Sequence, residues 1–245
     1  MTEPLFLAAL DGPAVGQVVE LTGEEGRHAA AVRRLKVGEV ILISDGNGTA
    51  VRGPVASADK NGLAIMVEEI LHEPERPVRY VAVQALPKGD RAEQAVEMLT
   101  ELGIDEIVPW QAGRSVVKWA PDRVERGLTR WRATAREAAK QCRRFHVPTV
   151  STPMTTAELA LRIAQTDLTV VLHETAETRL GTFTLPPIGE VMFIVGPEGG
   201  LTDEEVATFT AAGGRTALIA DAVLRTSTAG VVALAQLQAL AVRDR

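Results

Sequence analysis

Two short stretches near the C-terminus carry the residue types best suited to chemistry. The first is Ile194-Val195-Gly196-Pro197-Glu198-Gly199-Gly200-Leu201-Thr202-Asp203-Glu204-Glu205. An apolar run ends there at a Gly-Pro-Glu-Gly-Gly turn. Thr202 and Glu205 then stand at the N-cap and N3 spacing of a capping box, so a helix is expected to open. Strand, glycine-rich turn and helix start together let backbone approach a ligand closely, with outward-facing N–H groups. The second is Val223-Leu224-Arg225-Thr226-Ser227-Thr228-Ala229-Gly230. A cation followed by three hydroxyls, after a mostly apolar run, reads as a ligand-facing loop. Either stretch alone is what an ordinary α/β turn looks like. Together they point to one site.

Other chemistries are disfavoured. There is no GxxxxGK[ST] phosphate loop, no GxGxxG after the first α/β strand, and no GxSxG elbow. His28, His72, His146 and His173 lie far apart beside a single cysteine, Cys142, so no zinc site is expected. One cysteine also excludes an internal disulfide and suits a cytoplasmic setting. The N-terminus has no basic leader. The longest uncharged stretch, Thr226 to Val242, contains enough hydroxyls and glutamines to read as a buried helix, so no membrane span is expected. The net charge is −6, against indiscriminate coating of nucleic acid. Residues 118–146 nevertheless hold nine Lys/Arg and three Asp/Glu, a focused basic segment suited to a polyanion or to a solvated helix face.

The elements that would position the site follow in order. Residues 1–72 read as a small β-rich unit: a strand over Val15 to Leu21, a short helix over His28 to Leu35, and strands over Val40 to Ser44, Val51 to Ala56 and Leu63 to Leu71. Asp45-Gly46-Asn47-Gly48 marks a hairpin. Short strands on such turns suggest a small barrel. Arg27, Arg33, Arg34 and Lys36 cluster there as candidate phosphate contacts. His72-Glu73-Pro74-Glu75-Arg76-Pro77 reads as a linker, which places the domain boundary between 1–72 and 73–245. An α/β pattern then begins with a strand over Tyr80 to Leu86. Asp90 is expected to cap the next helix with Glu93 in a capping box. Lys88 and Arg91 fall at that strand's end, where open α/β sheets bind ligands. Strand Ile104 to Trp110 precedes a long helix over Pro121 to Phe145. It has an apolar stripe from Val124 to Cys142 and arginines off it, with Arg143 and Arg144 at its end. Strands at Leu168 to Leu172, Val191 to Val195 and Ala217 to Ala220 alternate with helices, the last over Ala229 to Val242. That alternation argues for a largely parallel sheet with helices on both faces.

These motifs resemble the ribosomal RNA small subunit methyltransferase E family, within the SPOUT class of RNA methyltransferases, over nearly the full length. The resemblance rests on Val32-Arg33-Arg34-Leu35-Lys36-Val37-Gly38, Lys88-Gly89-Asp90-Arg91, Thr100 to Pro109, Arg114-Ser115-Val116-Val117-Lys118, Glu137 to Cys142 with Arg144, Ile194 to Thr202 and Val223 to Ala229. It implies a small N-terminal PUA-like β-barrel that holds RNA and a SPOUT-type α/β domain with a C-terminal trefoil knot. It further implies a homodimer that uses S-adenosyl-L-methionine to methylate N3 of one uridine in small-subunit (16S) ribosomal RNA, free or in the assembled subunit. By position, Leu172-His173-Glu174, Val195-Gly196, Glu198-Gly199-Gly200, Ile219-Ala220, Val223-Leu224 and Thr226 would hold the cofactor. The family pattern has Leu-Gly where this chain has Ile219-Ala220, and often Arg where it has Ala222.

Arg225 is then the candidate for stabilising the developing uracil anion, and Glu198 is a candidate base or a loop organiser. The apolar face of the closing helix, with Val231, Val232, Leu234, Leu237 and Leu240, is a candidate dimer surface. Competing readings are a related methyltransferase on another RNA, a non-catalytic RNA-binding assembly factor, and a nucleotide-binding α/β protein.

Overall fold

A computed structural model of the chain describes residues 3–243; the outermost ends of the two expected domains, residues 1–2 and 244–245, lie outside the described residues. The chain divides into two compact units, Met1–Glu75 with Glu137–Val147, and Arg76–Arg136 with Pro148–Arg245. The boundary expected after His72 therefore falls after Glu75, and a second segment joins the first unit. Hydrogen bonds explain why. Gly48 N donates to Phe145 O at 3.0 Å, Val147 N to Gly46 O at 2.9 Å, and Ser44 Oγ to Phe145 O at 2.8 Å. Linker composition marks where the chain leaves a unit and carries no sign of a return.

The first unit contains β1 (Leu5–Leu7), β2 (Val18–Leu21), α1 (Gly23–Arg27) with a π-helical turn over His28–Val32, β3 (Val40–Ser44), β4 (Thr49–Ala58), β5 (Leu63–Met66) and β6 (Glu69–His72). Strand order is β1-β3-β4-β5-β2, with β6 on β4. Phe6, Leu21, Ile41, Ile43, Val51 and Ile65 fill one core. The helix expected from His28 starts earlier, at Gly23, and its turn gives way at Arg34, whose φ of 54° is left-handed. The single strand expected over Leu63 to Leu71 is two strands. β4 pairs β6 through Arg52 and β5 from Val55 onward, changing partner around Gly53. A Cβ at Gly53 would sit 1.8 Å from Met66 O, so only glycine allows the two backbones to pass.

The second unit is built on β7 (Val78–Ala85), α2 (Arg91–Glu101), β8 (Glu106–Trp110), α3 (Val124–Cys142, after a 3-10 turn over Pro121–Arg123, its residues from Glu137 on belonging to the first unit), β9 (Thr149–Val150), α4 (Thr156–Ile163), β10 (Leu168–Leu172), β11 (Gly189–Val195), α5 (Asp203–Ala211), β12 (Arg215–Ala217) and α6 (Thr226–Arg243). All its strand pairs are parallel, in the order β12-β10-β11-β7-β8-β9. Buried on both faces, β8, β10 and most of β7 and β11 read as continuous apolar runs. The last strand stops at Ala217, three residues short of expectation, and residues 218–225 form a loop. Leu234, Leu237 and Leu240 are buried within the chain, where α6 packs on α2, β7 and β11. The expected dimer face is therefore mostly core.

One ionic cluster, centred on buried Glu106 with its partners part-exposed, lies at the amino ends of these strands. Glu106 accepts from Arg162 Nη1 at 2.8 Å, Arg79 Nη2 at 2.7 Å and Ser151 Oγ, and Glu190 pairs with both arginines. Burial pushes the Glu106 carboxyl up, but the bonds from Arg162, Ser151 and Arg79 more than offset it and hold it at about 2.

Gly127 sits inside α3, where glycine costs about 1 kcal/mol against alanine. Its reason is packing. A Cβ there would lie 2.5 Å from Trp119 Cε2, and the Trp119 ring meets Trp131 edge-on at 5.3 Å. Gly127→Ala is expected to destabilise by about 1 kcal/mol net, as overpacking outweighs the propensity gained. A denaturant melt checks this, and a more stable variant would show that the indole moves aside freely.

Candidate active site

Both C-terminal stretches arrive at the carboxyl ends of the central strands, where open α/β sheets bind ligands. β11 ends at Val195 and the chain turns through Gly196 to Leu201. Gly200 has a φ of 71°, which favours glycine. The capping box expected for α5 is present: Glu205 N donates to Thr202 Oγ1 at 3.1 Å and Thr202 N to Glu205 Oε2 at 2.9 Å. Glu205 also accepts from Gly113 N at 2.7 Å, which ties the next loop to this helix start.

That loop supplies Arg114, a residue the spacing of the two stretches did not reveal. Its Nη1 donates to Gly199 O at 3.2 Å and Leu201 O at 3.0 Å, clamping the glycine turn from behind. A Cβ on Gly199 would meet Arg114 Cβ at 3.1 Å, and one on Gly196 would meet Leu201 at 3.3 Å. The two stretches are joined by Thr226. Its Oγ1 donates to Gly196 O at 2.8 Å and accepts from Gln84 Nε2 at 3.0 Å, so β7, the glycine turn and the start of α6 are pinned together.

Between them is a cavity of about 380 Å³, lined by Leu172-His173-Glu174, by Val195 to Leu201, and by Ala217 to Thr226. Every residue carried over as cofactor-binding lies in this wall, as do Glu198, Arg225 and Arg91. Arg114 and Leu218 join them without having been expected, and Asp221 lies within the expected segment Ile219 to Thr226. The size suits a small-molecule site. The wall mixes bare glycine backbone with apolar Leu172, Ala220 and Leu224 and with the carboxylates of Glu174 and Asp221. Carboxylates for a cation, apolar side chains for the faces of a flat ring and bare backbone for close approach fit a compact cationic nucleoside.

The two candidate catalytic residues differ in their surroundings. Arg225 is exposed, lines the cavity, and its guanidinium has no partner among the described residues. Glu198 is engaged: its Oε1 accepts from Lys88 N at 3.1 Å and from Arg91 Nη1 at 3.4 Å. One of its two carboxylate oxygens thus holds the β7–α2 loop. Glu198→Gln is expected to keep the pH profile of turnover and to lose less than about tenfold in rate. A fall of about 10²-fold with a lost pH-dependent rise would make it the base.

The candidate RNA contacts separate by unit. In the first, Arg27, Arg33, Arg34 and Lys36 are all exposed within ten residues, and Arg143 is exposed at a φ of 62°. Arg144 is turned inward: its side chain is 10% exposed and its Nε lies 3.6 Å from Glu73. In the second, Lys88 is exposed and Arg91 faces the cavity. The capping box expected at Asp90 and Glu93 is absent. Asp90, at φ −76° and ψ 0°, lacks the extended backbone a cap needs and makes no cap bond, and Glu93 pairs with Arg130 instead.

Comparison with known proteins adds the family. Residues 74–238 match the RNA methyltransferase domain, and residues 21–67 match the RNA methyltransferase PUA domain. The ribosomal RNA small subunit methyltransferase E of Mycobacterium bovis is 42% identical over 91% of this chain and 86% of its own. That of Bacillus subtilis is 33% identical over 87% of each. The crystal structure of the Neisseria gonorrhoeae protein of that name, bound to S-adenosyl methionine, covers 98% of each chain with a TM-score of 0.85 and 27% identity. With both domains matched and the glycine turn and Arg225 loop on one cavity, this chain belongs to the ribosomal RNA small subunit methyltransferase E family.

Proposed function

We propose that this chain transfers a methyl group from S-adenosyl-L-methionine to N3 of one uridine in small-subunit ribosomal RNA. The observation that carries the reading is the cavity itself. Three segments far apart in sequence converge there, and the one guanidinium on its wall with no partner among the described residues, Arg225, faces the same space. The named relatives support the substrate class.

Bound in the cavity, the cofactor supplies a methyl group on a positively charged sulfur. The chain's own residues deal with the acceptor. Uracil N3–H is a weak acid, so its proton passes to solvent water and the resulting anion is stabilised over its two flanking oxygens before N3 takes the methyl group and the sulfonium leaves as a neutral thioether. Arg225 provides a planar cationic donor fork for those oxygens. Glu198, Arg114 and Thr226 hold the loops that set its position. N3 lies on the pairing edge, so the target must be unpaired or extruded. The exposed arginines of α3 and the Arg27 to Lys36 cluster would grip backbone phosphates, which makes binding salt-dependent.

Three further features belong to this reading. The first is a trefoil knot. It rests on the family resemblance; residues 178–180 pair with Leu218, Leu180 N donating to Leu218 O at 3.0 Å and Leu218 N to Thr178 O at 2.9 Å, before the chain goes on to α6 against β7 and β11. The second is a homodimer, whose contacts would have to come from residues other than buried Leu234, Leu237 and Leu240. A monomer mass at micromolar concentration would contradict it. The third is a cytoplasmic site of action.

Calorimetry with S-adenosyl-L-methionine tests the cofactor assignment. One site per chain, lost in Gly199→Val, is expected. A chain that binds RNA but not this cofactor would instead be an assembly factor.

A further inference from the structure

A second cavity, of about 270 Å³, lies in the same unit, walled by Leu86, Pro87, Gly89, Trp119, Gly127 and Trp131. Asp90, Glu93 and Arg130 also line it. Its wall holds a fixed aromatic ring. Trp119 lies against Gly127 and edge-on to Trp131, and its backbone N donates to Gln111 Oε1 at 3.1 Å. The wall also holds an unmet acceptor. Glu93 Oε1 pairs with Arg130 Nη2 at 2.8 Å, but Glu93 Oε2 is buried with no hydrogen-bond partner. Such an oxygen is costly to leave without a donor. Asp90 adds a second carboxylate that caps nothing.

A planar ring, carboxylate acceptors and a guanidinium in one small cavity match a flat solute with N–H donors and a carbonyl. They oppose a phosphate, which two carboxylates would repel. Guanine presents two N–H groups side by side for the Asp90 and Glu93 carboxylates and O6 for Arg130, and any base can stack on an indole. The position is equally informative. The β7–α2 loop borders both cavities: Arg91 lines the first, Gly89 and Asp90 the second. Exposed Arg123, in the 3-10 turn before α3, and Arg126 on α3, both unpaired among the described residues, could meet the connecting phosphates.

We propose that this second cavity is a subsite for an unpaired nucleobase rich in N–H donors, guanine fitting best, next to the target uridine. The proposal rests on the RNA methyltransferase reading above.

The test is anisotropy of labelled single-stranded oligoribonucleotides with the full-length protein. One probe carries guanine beside a central uridine, one adenine, one an abasic site. The unmodified protein is expected to bind the guanine probe about tenfold more tightly than the abasic one. Trp119→Ala should lose about tenfold on guanine and stop distinguishing the probes. Trp119→Phe, which keeps a stacking face, should retain most of the difference and keeps the test available if the alanine variant fails to fold. Glu93→Gln should bind guanine no better than adenine. Equal affinity of the unmodified protein for all probes, or unchanged discrimination in Trp119→Ala, would overturn the subsite. Discrimination by a protein that leaves small ribosomal subunits unmethylated would overturn the catalytic reading instead, and methylation of subunits without discrimination among the probes would overturn the subsite alone.

Discussion

Arg225→Ala is expected to lower turnover by about 10²- to 10³-fold, the usual loss for one preorganised donor to a developing anion. Affinity for S-adenosyl-L-methionine should change by only a few fold. The cavity wall includes the bare backbone of Gly196, Gly199 and Gly200, and the loop start is held by Thr226 rather than by the arginine side chain. The backbone carbonyl of Arg225 accepts from Thr228 N and Ala229 N at 2.9 Å, and any residue supplies that. Single-turnover kinetics with a parallel binding titration separate the two effects. Lysine should recover part of the rate, since it restores the charge without the planar fork. Full turnover in Arg225→Ala would assign the anion's stabilisation elsewhere.

The second large effect is on stability. Glu106→Ala is expected to cost about 3 kcal/mol, because truncating one partner of a buried pair leaves charges uncompensated. The lower end of the usual range applies, since Glu190 still faces Arg79 and Arg162. The wild-type chain should show the same interaction in its acid limb. The Glu106 carboxyl is held at about 2, below its ordinary 4.5. Its contribution is therefore complete above the unfolded value and is lost as pH falls from about 4.5 toward 2, by about 3 kcal/mol in all. Glu106→Gln should flatten that limb. Denaturant melts between pH 2 and pH 7 measure it, and parallel curves for the two chains would remove Glu106 from the account.

Much of this site was legible in the residues. The Thr202–Glu205 box carries a local rule, and the structure forms it. The segments proposed to hold the cofactor carry motif spacing, and all of them line one cavity. What was not legible depended on distant partners. Arg114 has no local pattern, because its role is to meet Gly199 and Leu201 from 85 and 87 residues away. The return of Glu137–Val147 to the first unit is made by hydrogen bonds to Ser44, Gly46 and Gly48. Leu63 to Leu71 is apolar enough for one strand, and only the backbone crossing at Gly53 breaks it. Asp90 and Glu93 have capping-box spacing, yet Asp90's backbone angle and the draw of Arg130 defeat it. Spacing reports what a segment can do alone, and partners decide the rest.

The most direct test uses small ribosomal subunits that lack the modification. They would be incubated with the protein and S-adenosyl-L-methionine, then digested to nucleosides for mass spectrometry. The account predicts one new 3-methyluridine per subunit, absent when Arg225→Ala replaces the unmodified chain at equal time. A methyl group on another atom or base, or none from a cofactor-bound preparation, would contradict it.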